Sequence, residues 1–222
     1  EVLELPAVPR TMVCFDISHT QGSEVVASGV FFENGEPAKG EYKRFKIRGE
    51  WGNDDFASMH EAVTRWFTRR VDEGKPLPDL AVIDGGKGQL GAALKALEAL
   101  DFPQQSVIGL AKKEEEIFLP GRPDSVRLPR RSHALRMLQR LRDEAHRFAI
   151  TYNRKLRTKR TIRSELSTIP GVGPSRQKAL LAKFGSMRGV AAASEAEIAA
   201  LPGFGVAIAR KVREAVAPTP PA

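Results

Sequence analysis

The sequence predicts an α/β domain with a mixed sheet and flanking helices, followed by a small all-α domain. The first prediction rests on short apolar runs, rich in β-branched residues, that alternate with helix-period segments over residues 11–150. The second rests on a hairpin pattern that occurs twice within residues 164–222. The chain has 222 residues, of which 41% are hydrophobic, and this is enough for one medium domain and a small second one.

Three strands open the predicted sheet. Residues 11–18 form an apolar run that Asp16 interrupts, and a carboxylate inside a strand is costly unless something uses it. Residues 25–32 predict the second strand and the alternating residues 42–47 the third, with a strong hairpin signal, Asn-Gly, at positions 34–35. We expect these three strands to form an antiparallel meander.

A helix and a fourth strand follow. Apolar residues at helical spacing predict a helix that begins after Asp54 and Asp55 and ends by Gly74. The apolar run 80–83 then leads into Asp84 and a group of glycines, as a buried strand does where it ends at an open sheet edge. Ligands of α/β sheets bind beyond such strand ends. Asp84 is therefore a candidate site residue, with an ordinary helix cap as the alternative.

The remaining elements complete the first domain. Residues 89–100 predict a helix, residues 106–110 a fifth strand and residues 117–128 a hairpin flap. A long helix is predicted from position 132 or 133 through 150, with an apolar stripe beside which His146 falls. A lone histidine in that position is more often packed or exposed than a ligand, so its interpretation depends on its neighbours.

This order of elements is that of a ribonuclease H-like fold. In such a sheet Asp16 lies on the central first strand beside Asp84, and a residue of the terminal helix closes the site. The two carboxylates, distant in sequence, would therefore meet at one sheet edge. The likeness concerns the fold alone, so the function must be argued from the site.

The net charge of +8 is unevenly distributed. Residues 1–126 carry 15 Lys and Arg against 21 Asp and Glu, residues 127–163 carry 13 against 2, and residues 164–222 carry 7 against 4. An acidic body followed by a strongly basic belt fits a polyanion that lies across the junction. The belt has too few acids for pairing within its own helix, so we interpret it as a nucleic-acid surface and not as a solvated helix face.

The composition also indicates a compartment. The single cysteine, Cys14, excludes an internal disulfide framework and a cysteine-based zinc site, and it favours a reducing environment. The sequence has no apolar run long enough to span a membrane and no basic leader followed by an apolar core. We therefore expect a cytoplasmic protein with no membrane partner.

The repeated pattern is an apolar residue, Pro-Gly, a second apolar residue and Gly, at residues 169–173 and again at 201–205. It resembles a tandem helix-hairpin-helix domain. The glycines permit a tight turn whose free amides face outward at a helix start, so duplex DNA would be bound by its backbone with little sequence preference. The alternative is a plain helical hairpin pair used for dimerisation. The candidate phosphate-binding residues are Gly171, Gly173, Arg176, Lys178, Gly203, Gly205, Arg210 and Lys211.

Four motifs occur in order before this repeat: FDISHTQG with Asp16, VIDGGKGQL with Asp84, IGLAKK, and LRDEAHRFAITYNR with His146. Together with the hairpins they resemble the C-terminal half of the UvrC family, an excinuclease component of bacterial nucleotide excision repair. The resemblance covers nearly the whole chain. It implies an endonuclease that makes the 5′ incision beside a lesion, with Asp16, Asp84 and His146 as the catalytic and metal-binding set.

The resemblance also implies partners. They are double-stranded DNA with a lesion or bubble, and a UvrB-DNA pre-incision complex. The family's N-terminal nuclease domain and its UvrB-binding segment have no counterpart in this sequence, so we expect no dual incision from it. We expect a monomer with an endonuclease domain at residues 1–156, a basic linker at 157–163 and the tandem hairpin domain at 164–222.

The chemistry can be argued from the residue types alone. Phosphodiester hydrolysis needs an activated water and stabilisation of charge on the phosphoryl oxygens, and the hard carboxylate ligands Asp16 and Asp84 favour Mg²⁺ or Mn²⁺ for both tasks. His146 would complete the metal shell or shuttle a proton. Lys113 and Lys87 would neutralise the scissile phosphate, and Arg142, on the same flank of the helix as His146, is a further candidate for DNA contact.

Two other functions stay open at this stage. One is a non-catalytic, structure-specific DNA-binding module in which Asp84 is only a helix cap. The other is a ribonuclease H-like nuclease that acts on RNA-DNA hybrids or junctions. All three functions predict an affinity for nucleic acid that falls with salt, so binding alone does not separate them.

Overall fold

The computed structural model describes residues 2–19, 25–48 and 54–216, without the side chains of Lys113 and of residues 153–164. The chain divides into two compact units, Glu1–Asn153 and Arg154–Ala222. Part of the FDISHTQG motif, positions 20–22, lies outside the described residues. Within the described part of the chain, no helix combines the length and apolarity that a membrane span requires.

Over the described residues, the first unit is built on a mixed sheet of seven strands. Their order is β3-β2-β1-β5-β6-β7, and β4 also pairs with β2. β1 pairs antiparallel with β2 and parallel with β5, β5 pairs parallel with β6, and β7 closes the sheet antiparallel. This confirms the predicted fold class. The strands are β1 (Thr11–His19), β2 (Val25–Glu33), β3 (Glu36–Pro37), β4 (Lys43–Lys46), β5 (Leu80–Asp84), β6 (Val107–Ala111) and β7 (Glu116–Phe118).

Helices cover both faces of this sheet, because successive side chains of a strand point to opposite faces. In β1, Val13 and Phe15 pack in the core that contains the residues of α1 (Asp55–Asp72) and α2 (Lys87–Ala99). Met12 and Cys14 pack instead in the core shared with α3 (His133–Ser167). The central strands are therefore buried on both sides.

Local side-chain chemistry sets where the first two helices begin. The Asp54 carboxylate accepts hydrogen bonds from the amides of Phe56 and Ala57, which caps α1. At the start of α2, the Gln89 side chain accepts a hydrogen bond from the Gly86 amide at 3.2 Å. The first turn of α2 thus follows directly on the end of β5 at Asp84.

The predicted end of the long helix at position 150 is wrong. α3 continues to Ser167 and so runs through residues 157–163, which the sequence analysis assigned to a linker. The helix contains no glycine or proline, and nothing in its sequence terminates it before the hairpin pattern begins. The division between the two units falls within this helix.

The predicted antiparallel meander is present, since β1 pairs with β2 and β2 pairs with β4, and the sheet adds one short strand, β3, that was not predicted. The short strand β3 and the later strand β4 both pair with β2, along successive parts of its length. The hairpin flap predicted at 117–128 is reduced to β7 and one bridge between Ile117 and Val126. Prolines at 120 and 123 lack the amide that a longer ladder would need.

The second unit is all-helical. Its helices are α4 (Pro174–Phe184), α5 (Met187–Ala192), α6 (Glu195–Ala199) and α7 (Val206–Val216). Buried Leu166, Leu180 and Val212 belong to one core that joins the end of α3 to α4 and α7. Gly171 and Gly203 take φ values of 90° and 82° in the two turns, a conformation that side chains with a Cβ rarely adopt. The unit is thus the small all-α domain that the repeat predicted.

Candidate metal centre

The sheet places Asp16 and Asp84 side by side. β1 and β5 run parallel and pair Phe15 with Ile83, so the next residue on each strand is a carboxylate. Each acid also continues the alternation that points Cys14 and Val82 toward the α3 face of the sheet. The two acids therefore share one edge and one face. Asp16 is buried, and the Asp84 side chain is only 4% exposed.

Helix α3 brings His146 to the same place. Leu141 and Ala145 anchor the helix in the core below it, and the Ser28 hydroxyl of β2 donates a hydrogen bond to the Ala145 carbonyl at 3.3 Å. His146 follows directly, and its Nδ1 lies 3.6 Å from Oδ2 of Asp16. One potential ligand atom from each of the three residues lies within 4.8 Å of the others. The structure thus brings together the three residues that the sequence analysis selected.

The hydrogen bonding of this cluster fits a divalent cation. Asp16 Oδ2 accepts a hydrogen bond from the Ser18 hydroxyl at 3.1 Å. Among the described residues, however, Asp84 Oδ2 and His146 Nδ1 are buried and have no hydrogen-bond partner. Asp84 Oδ2 has the Lys112 ammonium 3.4 Å away and His146 Nδ1 has Asp16 Oδ2 3.6 Å away, both beyond good hydrogen-bond geometry. Buried polar atoms without a hydrogen bond are costly, and a divalent cation would satisfy both. Two carboxylates and one imidazole are a donor set suited to Mg²⁺ or Mn²⁺.

The electrostatics favour the same interpretation. Burial raises the pKa of Asp84 to about 6, and the negative charge of Asp16 acts in the same direction. The Lys112 ammonium opposes this effect, with Nζ 3.4 Å from Oδ2 of Asp84. Among the described side chains, Lys112 is the cation that pairs with these two desolvated acids, and one cation leaves part of their negative charge at neutral pH unmet.

Lys112 is a residue that the sequence analysis did not select for the site. The predicted cation was Lys113, whose side chain lies outside the described residues. The only sequence signal for a cation beside Asp84 was the Lys-Lys pair after β6. Because β6 ends at Ala111, strand alternation does not decide which lysine faces the acids. The turn after the strand, in which Glu114 has a φ of 62°, places the Lys112 ammonium beside Asp84.

Arg142 is a correction to the predicted DNA contacts. Its side chain is 9% exposed, and its guanidinium donates to both carboxylate oxygens of Glu115, at 2.6 and 3.2 Å. It also pairs with Asp143 at 3.2 Å. Arg142 therefore ties α3 to the turn that follows Lys112 and is not available to a phosphate. Lys87, by contrast, is exposed at the first residue of α2.

Fewer arginines of the basic belt are available to bind DNA than its composition indicated. Residues 127–163 contain only two acids, but acids elsewhere in the first unit reach several arginines of the belt. The pairs are Arg127 with Glu114 and Glu116, Arg140 with Glu36, Arg142 with Glu115, and Arg147 with Glu144 inside the belt. Arg130, Arg131 and Arg136 are exposed and have no ion pair with another described residue. They are the belt's available cations in that part of the chain.

The two hairpins of the second unit are joined by Arg176. Its Nε donates to the Gly203 carbonyl at 2.7 Å, and its Nη1 donates to the Gly171 carbonyl at 2.6 Å. Arg176 was selected as a phosphate contact, but two of its donor groups hold the turns together. Lys178 and Lys211 are exposed, while Arg210 lies 3.7 Å from Glu195.

Gly173 and Gly205 differ from the turn glycines. Neither has a positive φ, and a Cβ added at either position would meet no atom within 4 Å. Nothing inside the described structure therefore requires glycine there. The space in front of these two backbones is open at the starts of α4 and α7.

Comparison with known families and relatives gives consistent results. The family described as UvrC RNAse H endonuclease domain matches residues 1–150, and the family described as SAM-like Helix-hairpin-helix tandem matches residues 163–217. Among solved structures, Endonuclease V of Ciona intestinalis in complex with an inosine-containing 24mer DNA is 15% identical, covers 47% of this chain and 46% of its own, and has a TM-score of 0.37. That likeness is too weak to carry an argument.

The relatives are proteins named UvrABC system protein C. The one from Gemmatimonas aurantiaca is 67% identical over 214 residues, which are 96% of this chain and 35% of that protein. The one from Gloeobacter violaceus is 51% identical over 217 residues, again 96% of this chain and 35% of the relative. The chain thus spans about a third of the length of these relatives. On the match of residues 1–150 to the endonuclease domain, the chain belongs to the UvrC family.

Proposed function

We propose that this chain is a divalent-metal-dependent DNA endonuclease that makes the 5′ incision beside a lesion in bacterial nucleotide excision repair. The observation that carries the proposal is the cluster of Asp16, Asp84 and His146, whose ligand atoms lie within 4.8 Å of one another. Two of those atoms are buried without a hydrogen-bond partner among the described residues. A non-catalytic DNA-binding module has no use for such a costly arrangement.

Each residue has a role in this reaction. Asp16, Asp84 and His146 would hold Mg²⁺ or Mn²⁺, which lowers the pKa of a water nucleophile and stabilises charge on the phosphoryl oxygens when it is bound. His146 is also partly exposed and can accept or return a proton. Lys112, beside Asp84, and Lys87, at the start of α2, would bind the scissile phosphate and its neighbour.

The tandem hairpins would bind the duplex by its backbone. Open space in front of Gly173 and Gly205 lets a phosphate approach the amides at the starts of α4 and α7. Exposed Lys178 and Lys211 would add charge near the same turns. Contacts of this kind read no base edges, so binding would depend on DNA structure and salt, not on sequence.

The wider setting follows from the family. The relatives' name, UvrABC system protein C, supports action within a multi-component repair system. We propose that the chain acts on DNA with a lesion or bubble that a UvrB-DNA complex presents, as a cytoplasmic monomer. The proposed division of labour assigns metal chemistry to the first unit and duplex binding to the second.

The test is Mn²⁺-dependent nicking of a bubble duplex by the wild-type chain, Asp16→Asn and Asp84→Asn. We expect cutting near the bubble boundary by the wild-type chain and none by either variant, because each loses a charged metal ligand. DNA binding should persist in both. Asp72→Asn is the matched control, since Asp72 is an exposed acid at the far end of α1.

Other results would redirect the assignment. Cutting that survives in Asp84→Asn would refute the metal centre as the active site. Binding without cutting by the wild-type chain, even with the loading partners supplied, would favour the DNA-binding module. Preferential cutting of RNA-DNA hybrids or junctions in a substrate panel would favour the third function.

A further inference from the structure

Phe56 is an exposed aromatic side chain near the edge of the sheet that carries the metal centre. It is 53% exposed, whereas Phe15, Trp66 and Phe67 are buried in the core that α1 helps to form. It is the second residue of α1. A single exposed apolar residue needs no explanation by itself, so its surroundings must decide whether it has a role.

The ring of Phe56 packs against the first turn of α2 at Gly88. A Cβ at Gly88 would lie 2.5 Å from Cε1 and 2.6 Å from Cζ of the ring, so the ring occupies the space that a side chain at position 88 would fill. Gly88 is the second residue of α2 and comes four positions after Asp84. The absence of a side chain at position 88 therefore lets the aromatic ring lie directly against the first turn of this helix.

A second contact lies next to the ring. Asp55 precedes Phe56, and its Oδ1 lies 2.5 Å from Nε2 of His19 at the end of β1. The same strand carries Asp16 three residues earlier. Phe56 thus stands between the end of β1 and the start of α2, at the sheet edge where the metal centre lies.

We propose that Phe56 stacks against a nucleobase next to the scissile phosphate and so helps to position the strand that is cut. This inference rests on the proposed nuclease function. Phe56 lies on the α1 side of this sheet edge, so a strand that leaves the metal centre along the first turn of α2 would pass the ring. Aromatic rings stack on bases with little sequence preference, and an unpaired base in a bubble can leave the helix to reach the ring. The ring would therefore favour distorted DNA over plain duplex.

The experiment compares Phe56→Ala with Val71→Ala in the full chain. Val71 is the matched control because it is 48% exposed on the same helix, at the opposite end from the metal centre. In Mn²⁺ nicking of a bubble duplex, we expect kcat/KM of Phe56→Ala to fall roughly tenfold, the loss typical of one stacked base. Val71→Ala should match the wild-type chain, and Phe56→Trp should restore activity.

A binding measurement tests the contact directly. Bubble DNA with 2-aminopurine beside the incision position is titrated with each protein in Ca²⁺, so that the DNA stays intact. Stacking on Phe56 predicts fluorescence quenching by the wild-type chain and by Val71→Ala, and a lower degree of quenching by Phe56→Ala. Mn²⁺ affinity, measured by calorimetry without DNA, should be equal in all three proteins.

The outcomes separate this inference from the function on which it rests. If Phe56→Ala cuts DNA and quenches the 2-aminopurine fluorescence as well as the wild-type chain does, the stacking role is overturned and the nuclease function stays intact. Weakened Mn²⁺ affinity in Phe56→Ala would also overturn it, because the ring would then only support the metal centre. A wild-type chain that never cuts would refute the nuclease function, and the 2-aminopurine comparison would still show whether Phe56 contacts a base.

Discussion

Asp84 is a residue whose charged form the metal-free fold disfavours. Its pKa rises to about 6 through burial and the proximity of Asp16, against about 3.9 in an unfolded chain. Between these two values the folded protein binds more protons than the unfolded one. The free energy of unfolding of the metal-free protein should therefore fall as the pH rises from about 4 to about 6, and this loss persists at higher pH.

The direction of this pH dependence gives a prediction for Asp84→Asn. At pH 7 in EDTA, the variant should unfold with a free energy about 2 kcal/mol higher than the wild-type chain, because the amide carries no charge to bury. At pH 4 the two proteins should differ much less. Urea unfolding at both pH values measures the effect, with Asp72→Asn as the control for loss of an exposed acid.

At pH 7, saturating Mn²⁺ should make the wild-type chain more stable than Asp84→Asn. The cation stabilises the wild-type chain by binding only its folded state, and the variant lacks one ligand. An Asp84→Asn variant that is less stable than the wild-type chain in EDTA at pH 7 would show that the carboxylate is not desolvated as described.

Lys112 gives a second prediction at the level of single residues. At pH 8, Lys112→Met should not weaken Mn²⁺ binding, because the lysine competes with the metal for the same oxygen of Asp84. Incision should nevertheless fall by about 10- to 100-fold if the ammonium binds the scissile phosphate. Calorimetry and nicking rates measured on one preparation would separate the two effects, with exposed Lys95→Met on α2 as the control. Equal losses in metal affinity and rate would assign Lys112 to the metal site alone.

The site residues were predictable where a charged side chain interrupts the apolar pattern of a strand. Asp16 and Asp84 stand where apolar strand residues are expected, and the parallel pairing of two predicted strands brings them together. The contact of Lys112 with Asp84 was not predictable in the same way, since it depends on the turn that begins after β6. The burial of Arg142 depends on Glu115, an acid 27 positions away in the chain, which helix periodicity does not reveal.

At the scale of elements, the glycines of the second unit distinguish packing from binding. A Cβ at Gly189 in α5 would lie 2.0 Å from the Phe184 carbonyl oxygen, whereas one at Gly173 would meet open space. Gly189→Ala should therefore lower the free energy of unfolding by about 1–3 kcal/mol through overpacking. Gly173→Ala should change it little. Thermal unfolding of the two variants tests this difference, and equal melting temperatures would contradict the close packing of α5 on the end of α4.

Element types were predicted more reliably than their ends and pairings. The strands and helices around the site were predicted from apolar residues that recur every 2 residues in strands and every 3.6 residues in helices, a pattern that is visible in short stretches of sequence. The end of α3 was missed because the change between units is not marked by a helix breaker before Ser167. The short strand β3 was missed because an Asn-Gly turn indicates a hairpin and not which residues after the turn continue its ladder.

At the scale of the whole molecule, the charge of the belt has to be considered together with the acidic first unit. Residues 127–163 carry an excess of arginine, yet several of those arginines pair with acids such as Glu36 and Glu115. Ion pairs of both kinds, exposed as at Arg140 and buried as at Arg142, remove cations from a DNA surface, and the exposed ones contribute little to stability. The tandem hairpins should therefore supply a large share of the duplex affinity under the proposed function.

This leads to a prediction that separates binding from cutting in the intact chain. Gly173→Ala combined with Gly205→Ala should weaken duplex binding about tenfold, because each methyl group occupies space that a phosphate needs in front of a helix start. The dependence of log K on log salt should also become shallower, by about 0.9 for each phosphate that the protein no longer neutralises. Mn²⁺ affinity should stay at the wild-type value, whereas Asp84→Asn should lose metal binding and keep its DNA affinity.

Gly91→Ala is the control for the double glycine variant, because it also adds a methyl group in open space but lies on α2 in the first unit. It should leave both DNA binding and its salt dependence unchanged. Fluorescence anisotropy over a series of salt concentrations gives the affinities and slopes, and calorimetry gives the metal affinities. If the double variant binds duplex with the wild-type affinity and slope, the hairpins do not contact phosphate through these turns, and the exposed arginines Arg130, Arg131 and Arg136 become the main DNA surface.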